Sequence, residues 1–215
     1  MIRRFCDITS NGLPLEYKAI LKWIPEGSSV LDLGCGNGEL LALLVRERNI
    51  KAQGIEIDEQ AIYQCVARGL SVFHEDIDHG LSDYSDQSFD YVVLNQSFQQ
   101  VKSPDRVLKE ALRVGRKCIV GFPNFAHYLA RLRMFFEGKA PVTPSLPYAW
   151  HDTPNLHFLS ILDFIEYCRM REMRIEDSVF IGQNGIIRIF PNLFSLVGIF
   201  LISPLRPGGR PRGQD

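Results

Sequence analysis

The chain has 215 residues, of which 46% are apolar and 23% charged, and its formal net charge is −1. That length holds one α/β domain with a sizeable core, and the near-neutral charge gives no electrostatic reason to expect a nucleic-acid partner. Five scattered cysteines, with no Cys-x-x-Cys pair, point to reduced thiols in a cytoplasmic setting and away from a disulfide framework or zinc site.

No secretory signal is expected, because Met1-Ile2-Arg3-Arg4 leads to Asp7 and not to an apolar core. Residues 14–24 place Leu15, Ala19, Ile20, Trp23 and Ile24 near helical spacing and predict a leading helix. Strand and helix patterns then alternate: strand 28–34, helix 38–48, strand 51–57, helix 59–68 and strand 71–76. Strand 89–95, helix 103–114 and strand 117–122 follow. This rhythm predicts a parallel sheet with helices on both faces and right-handed crossovers.

After Pro123 the rhythm changes. Residues 124–138 form a basic amphipathic stretch with Phe125, Tyr128, Phe135 and Phe136, expected to be a solvated helix packed on the core. A proline-rich loop of about 20 residues comes next, too long for a plain connection. Ser160 and Asp163 predict a capping box for a helix over 160–172. Strands 174–181 and 197–202 are expected to close the sheet as an antiparallel pair. The apolar run 193–203 is about half of the roughly 20 residues a membrane-spanning helix needs, which excludes a membrane role for it. The Pro-, Gly- and Arg-rich residues 204–215 read as a flexible tail.

The most informative stretch is Val30-Leu31-Asp32-Leu33-Gly34-Cys35-Gly36-Asn37-Gly38. A short apolar strand, a glycine at every second position and an immediate helix describe a tight turn where a ligand approaches bare backbone. Glu56 closes the second strand roughly 20 residues later, at the spacing from which a carboxylate accepts from both ribose hydroxyls. Capping of the helix near Glu59 is the competing role. Asp76 and Asn95 close the third and fourth strands, so Gly34, Glu56, Asp76 and Asn95 all fall at carboxyl ends, where ligands of such sheets bind. Cys35, with no base near it in sequence, reads as a small packing residue and not a nucleophile.

These residues resemble the first motif of S-adenosylmethionine-dependent methyltransferases, an acid followed by Gly-x-Gly-x-Gly, matched by Asp32, Gly34, Gly36 and Gly38. Dinucleotide dehydrogenases prefer Gly-x-Gly-x-x-Gly. The resemblance implies an α/β Rossmann-like class I methyltransferase fold. Its sheet would be mostly parallel and seven-stranded, with an antiparallel C-terminal strand and helices on both faces. The domain would run over residues 13–203, with an insertion at 123–159. It further implies S-adenosylmethionine or S-adenosylhomocysteine as ligand and no metal. Asp76 would accept from the adenine amino group, the amide of Ile77 would read the ring, and Asn95 would lie near the methionine end. Cys35 and Ile57 would line the same site.

A narrower resemblance rests on Val93-Leu94-Asn95-Gln96-Ser97, Gly121-Phe122-Pro123-Asn124-Phe125-Ala126-His127, Pro141-Val142-Thr143 and the run from Leu146-Pro147-Tyr148 to Thr153-Pro154-Asn155. These are similar to the MetW family of methionine-biosynthesis proteins, which usually carries Tyr where this chain has His151. Membership implies action with, and support of, a homoserine O-acyltransferase (MetX-like). The alternative is an active small-molecule methyltransferase, with His127, Tyr148 and His151 as candidate catalysts. A nucleic-acid methyltransferase is disfavoured by the charge and by the strand-four ending Asn95-Gln96-Ser97-Phe98.

The loop itself concentrates Tyr148, Trp150, His151, Asp152, Asn155 and His157. It has three competing roles: a substrate lid with His151 or His157 as base, a docking surface, or a structural loop whose side chains cap helix 160–172. The spacing of His151, Asp152 and His157 fits no strong metal pattern.

Overall fold

The computed structural model describes residues 12–205. An eight-stranded sheet has the order β3-β2-β1-β4-β5-β8-β6-β7. Its strands are β1 (Ser29–Leu33), β2 (Lys51–Glu56), β3 (Val72–His74), β4 (Phe89–Asn95), β5 (Gly115–Pro123), β6 (Met173–Gly182), β7 (Gly185–Ile186) and β8 (Val197–Pro204). The first five are mutually parallel, and β8 lies antiparallel between β5 and β6. The helices are α1 (Leu15–Trp23), α2 (Glu39–Arg48), α3 (Glu59–Ala67), α4 (Pro104–Val114), α5 (Tyr128–Glu137), α6 (Ile161–Met170) and α7 (Pro191–Phe194).

Strand side chains alternate between two cores, as the pleat requires. Val30, Val93, Ile119 and Ile199 face α1 and α2 in one core, while Leu31, Val92, Val120 and Phe200 face α4 and α6 in the other. The second core is built around Phe122, Phe164 and Phe200, whose ring centroids lie 4.8–5.8 Å apart. Burial on both faces explains why these strands read as near-continuous apolar runs. The run over 193–203 is largely β8, a buried strand, and no helix among the described residues is long and apolar enough to cross a membrane.

Four expectations are corrected. The sheet has eight strands, not seven. The extra one is the two-residue β7, paired with β6 through Ile181↔Ile186 and Gly182↔Gly185. The third strand is shorter than 71–76, because after His74 the chain bends so that Asp76 caps a 3-10 turn over Ile77–His79. The basic stretch forms α5, but that helix is not packed on the core along its length: Ala130 is its only buried residue, and every residue from 131 to 140 is exposed. Of the expected tail, Pro204 ends β8, while residues 206–215 lie outside the described residues, as does Cys6.

The capping box is as expected. Ser160 Oγ accepts from the Asp163 N–H at 3.2 Å, and Asp163 Oδ2 accepts from the Ser160 N–H at 2.8 Å. The cap belongs to Ser160 itself, and Asn124 Oδ1 adds a bond from the Ile161 N–H, so the loop side chains do not serve as caps.

Candidate ligand site at the carboxyl ends of the strands

The glycine turn leaves β1 with three left-handed residues: Gly34 at φ +74°, Gly36 at +54° and Gly38 at +73°. Each would be strained with a side chain, but for different neighbours. A Cβ on Gly34 would lie 2.7 Å from Ser97 Cβ, and one on Gly38 would lie 2.8 Å from Cys65 Sγ. A Cβ on Gly36 would meet nothing within 4 Å, so Gly36 is the point where the turn presents bare backbone to open space. The Gly34 and Cys35 N–H groups donate to Ile55 O, tying the turn to β2.

Glu56 completes that tie. Its Oε2 accepts from the Gly36 N–H at 2.7 Å, and its Oε1 accepts from the Ile57 and Asp58 N–H groups at 2.8 and 3.0 Å. The cap of α3 is supplied by Asp58, which accepts from the Gln60 and Ala61 N–H groups, so Glu56 is not the capping residue. With about four lone-pair positions on a carboxylate, Oε2 keeps one for a further donor.

Asp32 sits in mid-sheet beside Gly54 and Val93, only 3% exposed. No group among the described residues hydrogen-bonds its carboxyl. Burial, and then the neighbouring Glu56 charge, raise its pKa to about 7. Asn95, at the end of β4, donates from Nδ2 to Glu16 Oε2 on α1 at 3.4 Å, while its Oδ1 is buried against Gly121 without a partner among the described residues. Such an orphaned acceptor costs about 1–3 kcal/mol and is relieved by any arriving donor.

Ile57 and Asp76 line a depression of about 340 Å³ at the carboxyl ends of β2 and β3, together with His74, His79 and Ser82. Ile57 is exposed at its rim, and Ile77 packs into the second core behind it. The Cys35 thiol is buried and pushed well above its ordinary pKa, chiefly by desolvation, which leaves it without nucleophilic character. The structure therefore gathers Asp32, the glycine turn, Glu56, Asp76 and Asn95 along one edge of the sheet.

The catalyst candidates lie beyond the end of β5, at the start of α5 and in the loop that follows it. His127 is buried at the N-terminus of α5, where its Nδ1 accepts from the Leu129 N–H at 3.3 Å, and burial lowers its pKa. In this position His127 caps α5. His151, Asp152 and His157 are exposed and their side chains make no hydrogen bond among the described residues. The Trp150 and His151 rings meet edge to face at 5.5 Å, Tyr148 is half-buried, and the Asn155 N–H donates to Thr153 Oγ1. Among the described residues no group of three or more His, Cys, Asp or Glu is placed to hold a metal ion.

Sequence reasoning missed three residues that hold the site. Ser97 Oγ donates to Leu33 O at 2.7 Å and fills the space that makes Gly34 obligatory. Asp78 accepts from the Lys102 and Ser103 N–H groups, fixing the segment after Asp76 to the start of α4. Gln99 offers its backbone oxygen to the N–H groups of Leu156 and His157, which moors the long loop to the end of β4. None of them carries a local spacing signal, because each acts across more than 20 positions.

The comparison with protein families decides the relationship. A model described as methionine biosynthesis protein MetW matches residues 15–202. The chain belongs to the MetW family. A relative from Rhodopirellula baltica, the bifunctional methionine biosynthesis protein MetXA/MetW, is 39% identical over 196 residues, covering 86% of this chain and 31% of the relative. The chain thus spans less than a third of that relative's length. Among solved structures, an S-adenosylmethionine-dependent methyltransferase from Thermotoga maritima, a possible histamine N-methyltransferase, aligns with TM-score 0.63 at 21% identity, covering 87% of this chain and 86% of the other. Another, from Archaeoglobus fulgidus, aligns with TM-score 0.65 at 15% identity, covering 87% and 90%. At such identities the MetW chain shares their fold, and the fold alone fixes no reaction.

Proposed function

We propose that this MetW-family chain binds S-adenosylmethionine or S-adenosylhomocysteine across the ends of β1 to β4 and acts with a homoserine O-acyltransferase in methionine biosynthesis. The residues fit the nucleotide. Gly36 offers open backbone, the buried Asp32 carboxyl suits the ligand's ammonium group, and Asn95 Oδ1 awaits a donor. Glu56 would take the ribose hydroxyls. Asp76 and Ile77 would take the adenine edge, with Ile57 against the ring and Cys35 packed beneath the turn. When bound, the sulfonium of S-adenosylmethionine supplies an electrophilic methyl group. The residues here bind and orient, and none of the three catalyst candidates is fixed as a base against the turn.

The observation that carries the partner is the Rhodopirellula relative, in which a region matching 86% of this chain is joined to MetXA in one polypeptide. We take MetXA to be the acyltransferase. The test is homoserine O-acyltransferase activity with this protein titrated in, and co-elution followed on the same mixtures. A saturating change in rate that tracks complex formation supports the reading. No co-elution together with an unchanged rate overturns it.

A further inference from the structure

Helix α5 presents its apolar stripe away from its own protein. At about 3.6 residues per turn, Leu132, Phe135 and Phe136 share one exposed face; Tyr128, at its start, packs against His127 and Phe194, and Ala130, the helix's only buried residue, lies on the opposite side. Phe135 is 81% exposed and Phe136 75% exposed, and their rings meet only each other, edge to face at 5.0 Å. An amphipathic helix of a globular domain ordinarily turns such a stripe inward. A ten-residue helix is also too short to stand by itself in water. What holds α5 sits mostly at its two ends: His127 caps it, Tyr128 meets Phe194, Arg131 Nε donates to Ala126 O, Arg133 donates to Val142 O and pairs with Glu137, and Gly138 closes the helix in the left-handed conformation.

We infer that this stripe is the docking surface for the acyltransferase, received in an apolar groove whose rim carries carboxylates. The inference rests on the function proposed above and adds to it the face through which the two proteins meet. Two observations select the occupant. The Rhodopirellula relative keeps the MetXA and MetW regions on one chain, which makes MetXA the macromolecule that this fold is paired with there. The charges then specify its chemistry. Arg131 and Arg133 border the stripe on its two sides and Lys139 follows it; Arg133 pairs with Glu137 at 3.8 Å, the sole carboxylate between residues 128 and 140, which leaves Arg131 and Lys139 without a carboxylate partner among the described residues. A second copy of this chain would set these cations against one another, but an acidic rim would pair with them. Leu132, Phe135 and Phe136 have the i, i+3, i+4 spacing of a helix laid into a groove.

The test uses the full chain with the homoserine O-acyltransferase of the same organism, reading Kd and elution volume. Phe135→Ser/Phe136→Ser is expected to weaken the complex about a hundredfold. Its circular dichroism and nucleotide binding should be unchanged, because neither ring touches the core. Tyr63→Ser, at an exposed aromatic on α3, serves as control and should bind as wild type does. Arg131→Glu gives an independent readout: weaker binding with a shallower salt dependence. If wild type binds and both stripe variants bind equally well, the docking face is wrong and the proposed function stands. If wild type itself fails to bind, both fall. If wild type alone is a dimer that the double Phe variant dissociates, with acyltransferase binding intact, the stripe belongs to a second copy and the inference is overturned.

Discussion

Asp32 shows at the scale of one residue what a buried acid at the proposed ligand site costs in stability. Its pKa of about 7 in the folded chain exceeds the unfolded value, so between roughly pH 4 and 7 the folded protein holds a proton that the unfolded chain releases. The stability this group contributes is full below about pH 4 and is lost as pH rises through about 7. Asp32→Asn should therefore stabilise the ligand-free protein at pH 8 by roughly 1–4 kcal/mol, a gain that shrinks toward pH 4. Chemical denaturation at the two pH values reads it. The same carboxyl must be ionised to meet an ammonium group. Between pH 6 and 7 the affinity for S-adenosylmethionine should rise about fivefold in wild type. In Asp32→Asn it should be weak and flat, as calorimetry would show. The position of Asp32 was legible in the sequence because an acid two residues before a strand-ending glycine has one place to go. Its raised pKa was not, since that depends first on how completely the sheet buries it and then on Glu56, 24 positions away. The cap that His127 supplies to α5 was equally hidden, because a histidine looks alike in sequence whatever its ring nitrogens meet.

Among the elements, the glycine turn separates two requirements that spacing alone merges. Gly36→Ala adds a methyl group into open space, so its cost is the left-handed strain of about 1–2 kcal/mol, and the protein should fold. The methyl group then occupies the surface a nucleotide needs, and binding should fall at least tenfold. Gly34→Ala carries the same strain plus a contact with Ser97 Cβ at 2.7 Å, so its thermal midpoint should drop further than that of Gly36→Ala. Equal midpoints with equal binding would show that the turn has no ligand face. The capping box of α6 and the alternation of β1 to β5 were readable because they are local, set by neighbours within a few positions. The direction of the α5 stripe was not. Helical spacing says which side chains share a face, not whether that face turns toward the body of the protein. Strand β7 was missed although Gly182-Gln183-Asn184-Gly185 is made of turn residues, since two residues leave no periodicity to detect.

Across the whole molecule, the ligand edge and the α5 surface are joined by a short covalent and hydrogen-bonded route. Segment 139–158 leaves the end of α5, is fastened to it by Arg133 at Val142, and is moored by Leu156 and His157 to the Gln99 carbonyl just beyond β4. Asn95 and Ser97, on the same stretch as Gln99, touch α1 and the glycine turn. A nucleotide bound at the turn, as proposed, would thus have a covalent and hydrogen-bonded path to the proposed docking face. Coupling of this kind is reciprocal: if the nucleotide changes the affinity for the acyltransferase, the acyltransferase changes the affinity for the nucleotide by the same factor. Glu56→Ala should abolish the nucleotide's effect on acyltransferase activity while leaving the complex intact, because Glu56 is remote in sequence and in contacts from α5. It removes three backbone hydrogen bonds, so Glu56→Gln, which keeps an acceptor, separates loss of ligand from loosening of the turn. The decisive pair of numbers is the nucleotide Kd with and without saturating acyltransferase. A difference that vanishes in Phe135→Ser/Phe136→Ser but not in Tyr63→Ser would place both surfaces on one thermodynamic cycle. Identical values in wild type would leave the nucleotide site and the partner face as independent functions on one fold.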